Sequence, residues 1–389
     1  MPKWTVADSA TNRWTESLFL GHDELGVPDV TVSKRRLRGG RREGVDVVDI
    51  NNGHLSFSIV PTRGMGIWKA EYRGTPLGWE SPTQGPVNPA FVNALDRGGL
   101  GWLEGFDEWV CRCGLDSMGA PGTDVVKDNN GNPAKVTLAL HGKIANIPAH
   151  FVEIESDPAT KTVKVSGVVD ESALFYPGLR LKTTVSTQPL SNRLTIEDTV
   201  VNLKGTPSEL EMLYHCNYGA PLLEEGAQLL APFVEMAPRD ARAAEGVAEF
   251  ATYLGPTAGY VEQVYFYKPL ADANNRTVVA LRNAAGDKAS ALRFDTTQLP
   301  YFTQWKNTVA SGDGYVTGIE PGSAFPNLKT IERDRGRVIT LKPGGSRSFR
   351  LDLEAFVEKE AVGRLSDEIA ALQKTSKPII HKKPNPRFS

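Results

Sequence analysis

The sequence predicts an all-β protein, a large antiparallel sandwich of many short strands with one amphipathic helix at its C-terminal end. Three observations point there. Apolar and polar residues alternate in runs of about five to eight along most of the 389 residues. Clusters of Gly, Pro, Asn and Asp separate the runs. No regular alternation of strands with long helices occurs, which sets aside a parallel doubly wound sheet.

The elements follow in chain order. Asn130-Gly131-Asn132-Pro133 reads as a turn between strands. "KTVKVSGVV" places Val163, Val165 and Val169 on one face, and "LRLKTTVST" does the same with Leu179, Leu181, Thr183 and Val185. Lys342-Pro343-Gly344-Gly345 marks another turn, and "SFRLDLEAF" then aligns Phe349, Leu351, Leu353 and Ala355. In "EKEAVGRLSDEIAALQK" the period changes: Val362, Leu365, Ile369 and Leu372 recur at helical spacing with mixed charges opposite. Such a stripe docks on the sandwich or on a second subunit, because a membrane anchor would carry a more uniformly basic polar face. The final "KPIIHKKPNPRFS" reads as an extended tail. No Pro- or Ser-rich linker splits the chain, so residues 1–356 are expected to form one β domain and 357–389 a helical appendage with its tail.

Composition narrows the function. With 40% hydrophobic and 23% charged residues the chain can bury a large core, and a formal charge of −2 argues against a nucleic-acid or membrane-surface partner. A small-molecule ligand is expected, with the protein a monomer or homodimer. Cys111, Cys113 and Cys216 cannot form a framework of paired bridges, and one residue between the first two is not a zinc or redox spacing. Reduced thiols, the lack of a signal-peptide run in "MPKWTVADSATNRWTESLFLG" and the lack of any membrane-length apolar run point to the cytoplasm.

Four polar islands interrupt the strand pattern. "WLEGFDEWVCRCGLDSMGAPG" carries Glu104, Asp107, Glu108, Arg112 and Asp116 beside Trp102, Phe106 and Trp109, a mixture of flat apolar faces and fork-like polar groups that suits a sugar. A loop held by Arg–carboxylate pairs would show the same composition. Arg112, alone between two cysteines in an apolar strand, needs an anionic or polar partner. "LALHGKIANIPA" offers His141. In "LEMLYHCNYGAPLL" the period of two puts His215 and Asn217 on one face and Tyr214, Cys216 and Tyr218 on the other. The last island runs from "YFTQWKN" to "DGYVTGIEPGSAFPN" and offers Trp305, Lys306 and Glu320. Glu320 stands just before Pro321-Gly322, where a strand-end acid can point into a cleft as a base, cap the turn, or pair with Lys306. No G-x-S-x-G elbow, Walker loop, H-E-x-x-H or dinucleotide fingerprint is present, and nothing in the spacing of His141, His215 and the acids favours a metal.

These segments together resemble a known superfamily. The order Arg, "LHG", a strand with His two residues before Asn, and a late strand ending in Glu is similar to the aldose 1-epimerase or galactose mutarotase superfamily. "PTRGMGIWKAEYRGTPLGW", "RCGLDSMGAPG", "LHGKIANIPA", "LYHCNYGAPLL", "APRDARAAEG" and "WKNTVASGDGYVTGIEPGSAFPN" resemble its bacterial aldose 1-epimerase-like branch over roughly residues 30–355. The resemblance implies the large antiparallel supersandwich of that superfamily and cofactor-independent interconversion of sugar anomers. It implies His215 as general acid on the ring oxygen, Glu320 as general base, His141 as a sugar-binding histidine and Arg112 as a substrate arginine. Asn217, Lys306, Asp116 and the rings of Trp102 and Trp305 would complete the sugar site. "HCNYG" stands where galactose mutarotases carry an "HTYFN"-like strand and "IEPGSAFPN" where they carry an "LETQ"-like ending, differences that bear on which sugar is taken. Arg63, Arg112, Arg239 and Lys306 fit an anionic sugar or ion pairs with neighbouring acids equally well. An isomerase using the same His/Glu pair, and a sugar-binding protein without turnover, remain as alternatives.

Overall fold

Period-two alternation over so many runs builds two extended sheets, one of ten strands and one of fourteen, in a computed structural model that describes all 389 residues. Strand pairing within them is antiparallel, except that Ile379–Ile380 pairs parallel with Phe233–Pro238. A separate two-stranded hairpin, Gly122–Lys127 with Pro133–Leu138, turns at Asn130-Gly131. The architecture is the expected large β sandwich.

The principal core lies between the sheets. The ten-stranded sheet supplies Val163, Val165, Val169, Leu179, Leu181, Val185, Phe349, Leu351 and Leu353, and the fourteen-stranded sheet supplies Ile50, Phe57, Ile59, Met212, Tyr214 and Cys216. Gly167 interrupts the first run because the Met65 side chain occupies the place a Cβ would take, 2.5 Å from its sulfur.

Four adjacent strands of the fourteen-stranded sheet matter most: Tyr301–Asn307, Val316–Gly322, Ser208–Tyr218 and Val110–Leu115, in that spatial order. Their residues alternate between the inter-sheet core and the opposite face, which loops cover. On that second face Cys111, Cys113 and Leu213 pack with Trp102, Phe106 and Met118.

The helix Lys359–Gln373 buries Val362, Leu365 and Ile369 against Val278, Ala280, Ala289 and Ala291 of the ten-stranded sheet. Leu372 is only half-buried. The tail does more than extend. His381 and Arg387 both bind the Glu235 carboxylate, and Phe388 is 0% exposed against Phe325. A basic, proline-rich run can be held this way because its charges stay at the surface while one aromatic ring is buried and a short backbone pairing ties Ile379–Ile380 to the sheet edge. No helix is long and apolar enough to cross a membrane.

Candidate active site

His215 and Glu320 meet on the loop-covered face. The two strands pair so that Cys216 faces Ile319 and Asn217 faces Gly318, which brings His215 beside Glu320 across the ladder. The His215 Nε2 lies 3.3 Å from Glu320 Oε1. Both side chains are nearly inaccessible, at 4% and 2% exposure, yet Glu320 Oε1 has no hydrogen-bond partner. Gly318 makes room: a Cβ there would come within 2.3 Å of that oxygen and 3.0 Å of the His215 ring.

Asn217 holds the other side of the imidazole. Its Oδ1 lies 2.6 Å from His215 Nδ1, while its Nδ2 donates to the Glu108 carbonyl at 2.9 Å and the His215 carbonyl at 3.1 Å.

His141 enters from the loop after Pro133–Leu138. Its backbone takes a left-handed φ of 57°, followed by Gly142 at 71°, where a Cβ would collide with the Ser117 carbonyl at 2.0 Å. The turn delivers the His141 ring 5.1 Å from that of His215, with Nδ1 3.0 Å from the Met118 carbonyl. Aromatic walls close the site. Trp102 stacks 4.7 Å from both Phe106 and His141, and Phe106 sits 5.1 Å from His215. Trp305, half-buried, stands 5.5 Å from His215 and donates its Nε1 to Glu262 at 2.7 Å. Glu262 in turn binds Arg239, which also holds Asp240. Two further buried atoms on this side lack partners, Trp102 Nε1 and Thr303 Oγ1, the latter from the residue facing Glu320 across the ladder.

The enclosure sets the electrostatics. Burial pushes Glu320 well above the usual carboxylate range, with Glu262 adding to the rise and Arg239 opposing it. Burial pushes His215 well below the usual imidazole value, helped by His141 and opposed by Asn217. His141 falls to about 4, again through burial, against the pull of the Met118 carbonyl and Glu262. Enclosed in this way, the pair favours a neutral imidazole beside a protonated carboxyl.

Three expected sugar ligands lie elsewhere. Arg112 points into the inter-sheet core, because its neighbours Cys111 and Cys113 occupy the site face and alternation leaves it the other. There it bonds Asp198 at 2.5 and 2.9 Å, Thr183 at 2.7 Å and the Met65 carbonyl at 2.8 Å. Lys306 is turned away from Trp305 by the same rule and is capped by the carbonyls of Glu249, Phe250 and Thr252. Burial lowers it to about 8. Asp116 binds Lys329 at 2.7 Å rather than reaching the pocket. Asn217 is in the site, but its amide is fully committed to protein partners. The other acids of the first island are likewise paired: Glu104 with Arg41, Asp107 with the Trp68 indole and Glu108 with Arg63. Trp109 belongs to the inter-sheet core. No group of three or more His, Cys, Asp or Glu side chains converges as a metal site would require.

Sequence reading missed Trp79, Thr303 and Glu262. Trp79 packs 4.9 Å from Phe106 and donates to the Glu108 carbonyl. Its place in "GTPLGW" carried no chemical signal. Thr303 was legible in principle, since it shares the strand face of Trp305 two residues on.

Comparison with known proteins agrees with this architecture. Residues 42–355 match the model of a family described as a domain of unknown function, DUF4432. No curated protein sequence matches the chain. Among solved structures, a proposed aldose 1-epimerase from Klebsiella pneumoniae is 36% identical, with a TM-score of 0.92 over 98% of each chain. A galactose mutarotase-like protein from Clostridium acetobutylicum, 17% identical, superposes with a TM-score of 0.57 over 84% of this chain and 98% of its own. A proposed aldose 1-epimerase from Escherichia coli, 13% identical, gives 0.52 over 80% and 99%. The last two likenesses are of fold alone. The chain belongs to the DUF4432 family, on the galactose mutarotase-like fold and among the aldose 1-epimerase-like proteins.

Proposed function

We propose that the protein is a cofactor-independent isomerase of the aldose 1-epimerase type, which opens the ring of an aldose and closes it on the other face of C1. One observation supports this most directly: a buried carboxyl oxygen of Glu320 without a partner, 3.3 Å from His215 Nε2. An unpartnered buried polar atom is destabilising and is retained where a ligand or a reaction uses it, and the imidazole beside this one adds the acid–base partner that ring opening needs.

The chemistry follows from one proton shared by two groups. As the ring opens, protonated His215 gives its Nε2 proton to the ring oxygen, the C1–O5 bond breaks, and the Glu320 carboxylate takes the proton of the anomeric hydroxyl. The open-chain aldehyde then lies beside neutral His215 and protonated Glu320, the state that desolvation favours in this pocket. After rotation about C1–C2 the hydroxyl at C5 attacks the other carbonyl face, losing its proton to His215 while Glu320 protonates the new anomeric oxygen. The pair returns to its starting state, so no outside acid, base or cofactor enters the balance. His141 and the free Trp102 and Thr303 groups would hold hydroxyls.

The substrate is a neutral aldose in this reading. Arg112 is paired with Asp198, Arg239 with Glu262 and Asp240, and Arg63 with Glu108, while Lys306 is turned away from the site onto three carbonyls, so each of these cations is already held by the protein and only the Arg63 Nη2 keeps an open donor. Exchange NMR across neutral, acidic and phosphorylated aldoses tests it, with wild type, His215→Ala and Glu320→Ala. Acceleration by wild type, a loss of at least ~100-fold in both folded variants, and no solvent deuterium entering a C–H position are expected. Deuterium incorporation would instead mark a ketose–aldose isomerase.

A further inference from the structure

We infer that Asn217 is a positioning residue that holds His215 with its proton on Nδ1, so that Nε2 is the nitrogen that exchanges a proton with Glu320 and the sugar. The catalytic consequence rests on the function proposed above, while the tautomer itself does not.

The hydrogen bonds leave one solution. The Asn217 amide nitrogen lies 2.9 Å from the Glu108 carbonyl and 3.1 Å from the His215 carbonyl, groups that can only accept. Exchanging the amide nitrogen and oxygen would set the one amide oxygen against both carbonyl oxygens, so the orientation is fixed. The amide oxygen then faces His215 Nδ1 at 2.6 Å and must receive a proton from it. A neutral imidazole carries one ring proton, so Nε2 keeps its lone pair, 3.3 Å from Glu320 Oε1. In the opposite tautomer two acceptors would meet at Nδ1, and Nε2–H would have no lone pair with which to take the sugar's proton. The anchor is firm because Glu108 is itself fixed by Arg63, and its carbonyl also receives the Trp79 indole. The titratable groups facing the imidazole are Glu320, His141 and, across the ladder, Cys111. Trp102, Phe106 and Trp305 are the other neighbours and do not titrate. None of these competes with Asn217 for Nδ1.

The test is nitrogen-15 NMR of the His215 ring in the full chain, with exchange kinetics beside it. Wild type should show the Nδ1–H form. Asn217→Ala should show a mixed or Nε2–H form and lose about 10- to 100-fold in kcat with KM little changed. Asn217→Asp keeps the acceptor facing Nδ1 but loses the donor to the Glu108 and His215 carbonyls, so the Nδ1–H form should persist on a weaker anchor, while the negative charge moves the acidic limb of the kcat profile to higher pH. An Nε2–H form in wild type, or an unchanged tautomer in Asn217→Ala, overturns the inference. Should Asn217→Ala fail to fold, the wild-type and Asn217→Asp spectra decide. A wild-type Nδ1–H form with no sugar turned over upholds the lock and removes the isomerase reading instead.

Discussion

The fourteen-stranded sheet buries an acid–base pair on each of its faces, and the two are built differently. On the core face Arg112 and Asp198 share two hydrogen bonds, and the remaining capacity of both is filled by Thr183, the Met65 carbonyl and the Tyr214 hydroxyl. On the loop-covered face His215 and Glu320 stand 3.3 Å apart, and a carboxyl oxygen is left with nothing. Burial alone does not mark a functional pair, since both are buried. Saturation separates these two pairs: the Arg112 network is complete, and the His215 pair leaves a carboxyl oxygen open beside a second histidine and three aromatic rings.

The sharpest way to break this comparison is to remove one partner from each pair. Asp198→Ala strands the Arg112 guanidinium in the core and should lower stability by roughly 3–5 kcal/mol, or prevent folding, as read from urea unfolding. Glu320→Gln should do the reverse. It removes a carboxyl that burial already disfavours, leaving the unfolding midpoint unchanged or raised, while anomer exchange falls by about 10²–10⁴-fold. A stable Asp198→Ala protein, or an unstable Glu320→Gln protein with normal exchange, would show that the two faces had been given each other's roles.

The pH dependence of exchange comes next in size. Catalysis needs exactly one of the pair's two exchangeable positions occupied by a proton. A second proton is gained only below the lowered His215 value, and the last is lost only above the raised Glu320 value. The kcat profile should carry an acid limb set by His215, well below the ordinary imidazole value of 6.5, and an alkaline limb set by Glu320, well above the ordinary 4.5 of a glutamate. A bell centred between 4.5 and 6.5 would mean that the pocket is wet and the pair behaves as in solution.

Alternation explains both what the sequence disclosed and what it hid. Period two put His215 and Asn217 on one face without any structure, whereas Pro321-Gly322, expected to end the strand in a turn after Glu320, stays in the ladder opposite Phe302 and Tyr301. The same rule sends Arg112 away from its neighbours, but a strand buried on both faces gives no sign of which face holds the pocket. Arg112 did need an anionic partner. That partner is Asp198, 86 residues further on, in the other sheet. Lys306 failed for the same reason beside Trp305. Phe388 was invisible because a lone aromatic in a basic, proline-rich run has no period, and its pocket is assembled from Phe325, Phe266 and Ala237.

The smallest expected effect concerns acids beside the site rather than in it. Glu171 accepts from the Leu115 and Asp116 amides and Glu211 from that of Met118, so two buried carboxyls pin the segment whose Met118 carbonyl meets His141. Burial raises Glu171 to about 7 and Glu211 to about 8, and Asp107 behind Phe106 also rises to about 7. A carboxyl raised in the folded state contributes stability that is full below its ordinary value near 4 and is lost as pH climbs through the raised one. The melting temperature should therefore decline from pH 5 to pH 9. Glu211→Gln should flatten that decline by a few degrees, because the amide keeps an acceptor for Met118 and has no charge to desolvate. If wild type and Glu211→Gln lose stability in parallel over this range, Glu211 already carries its charge at neutral pH.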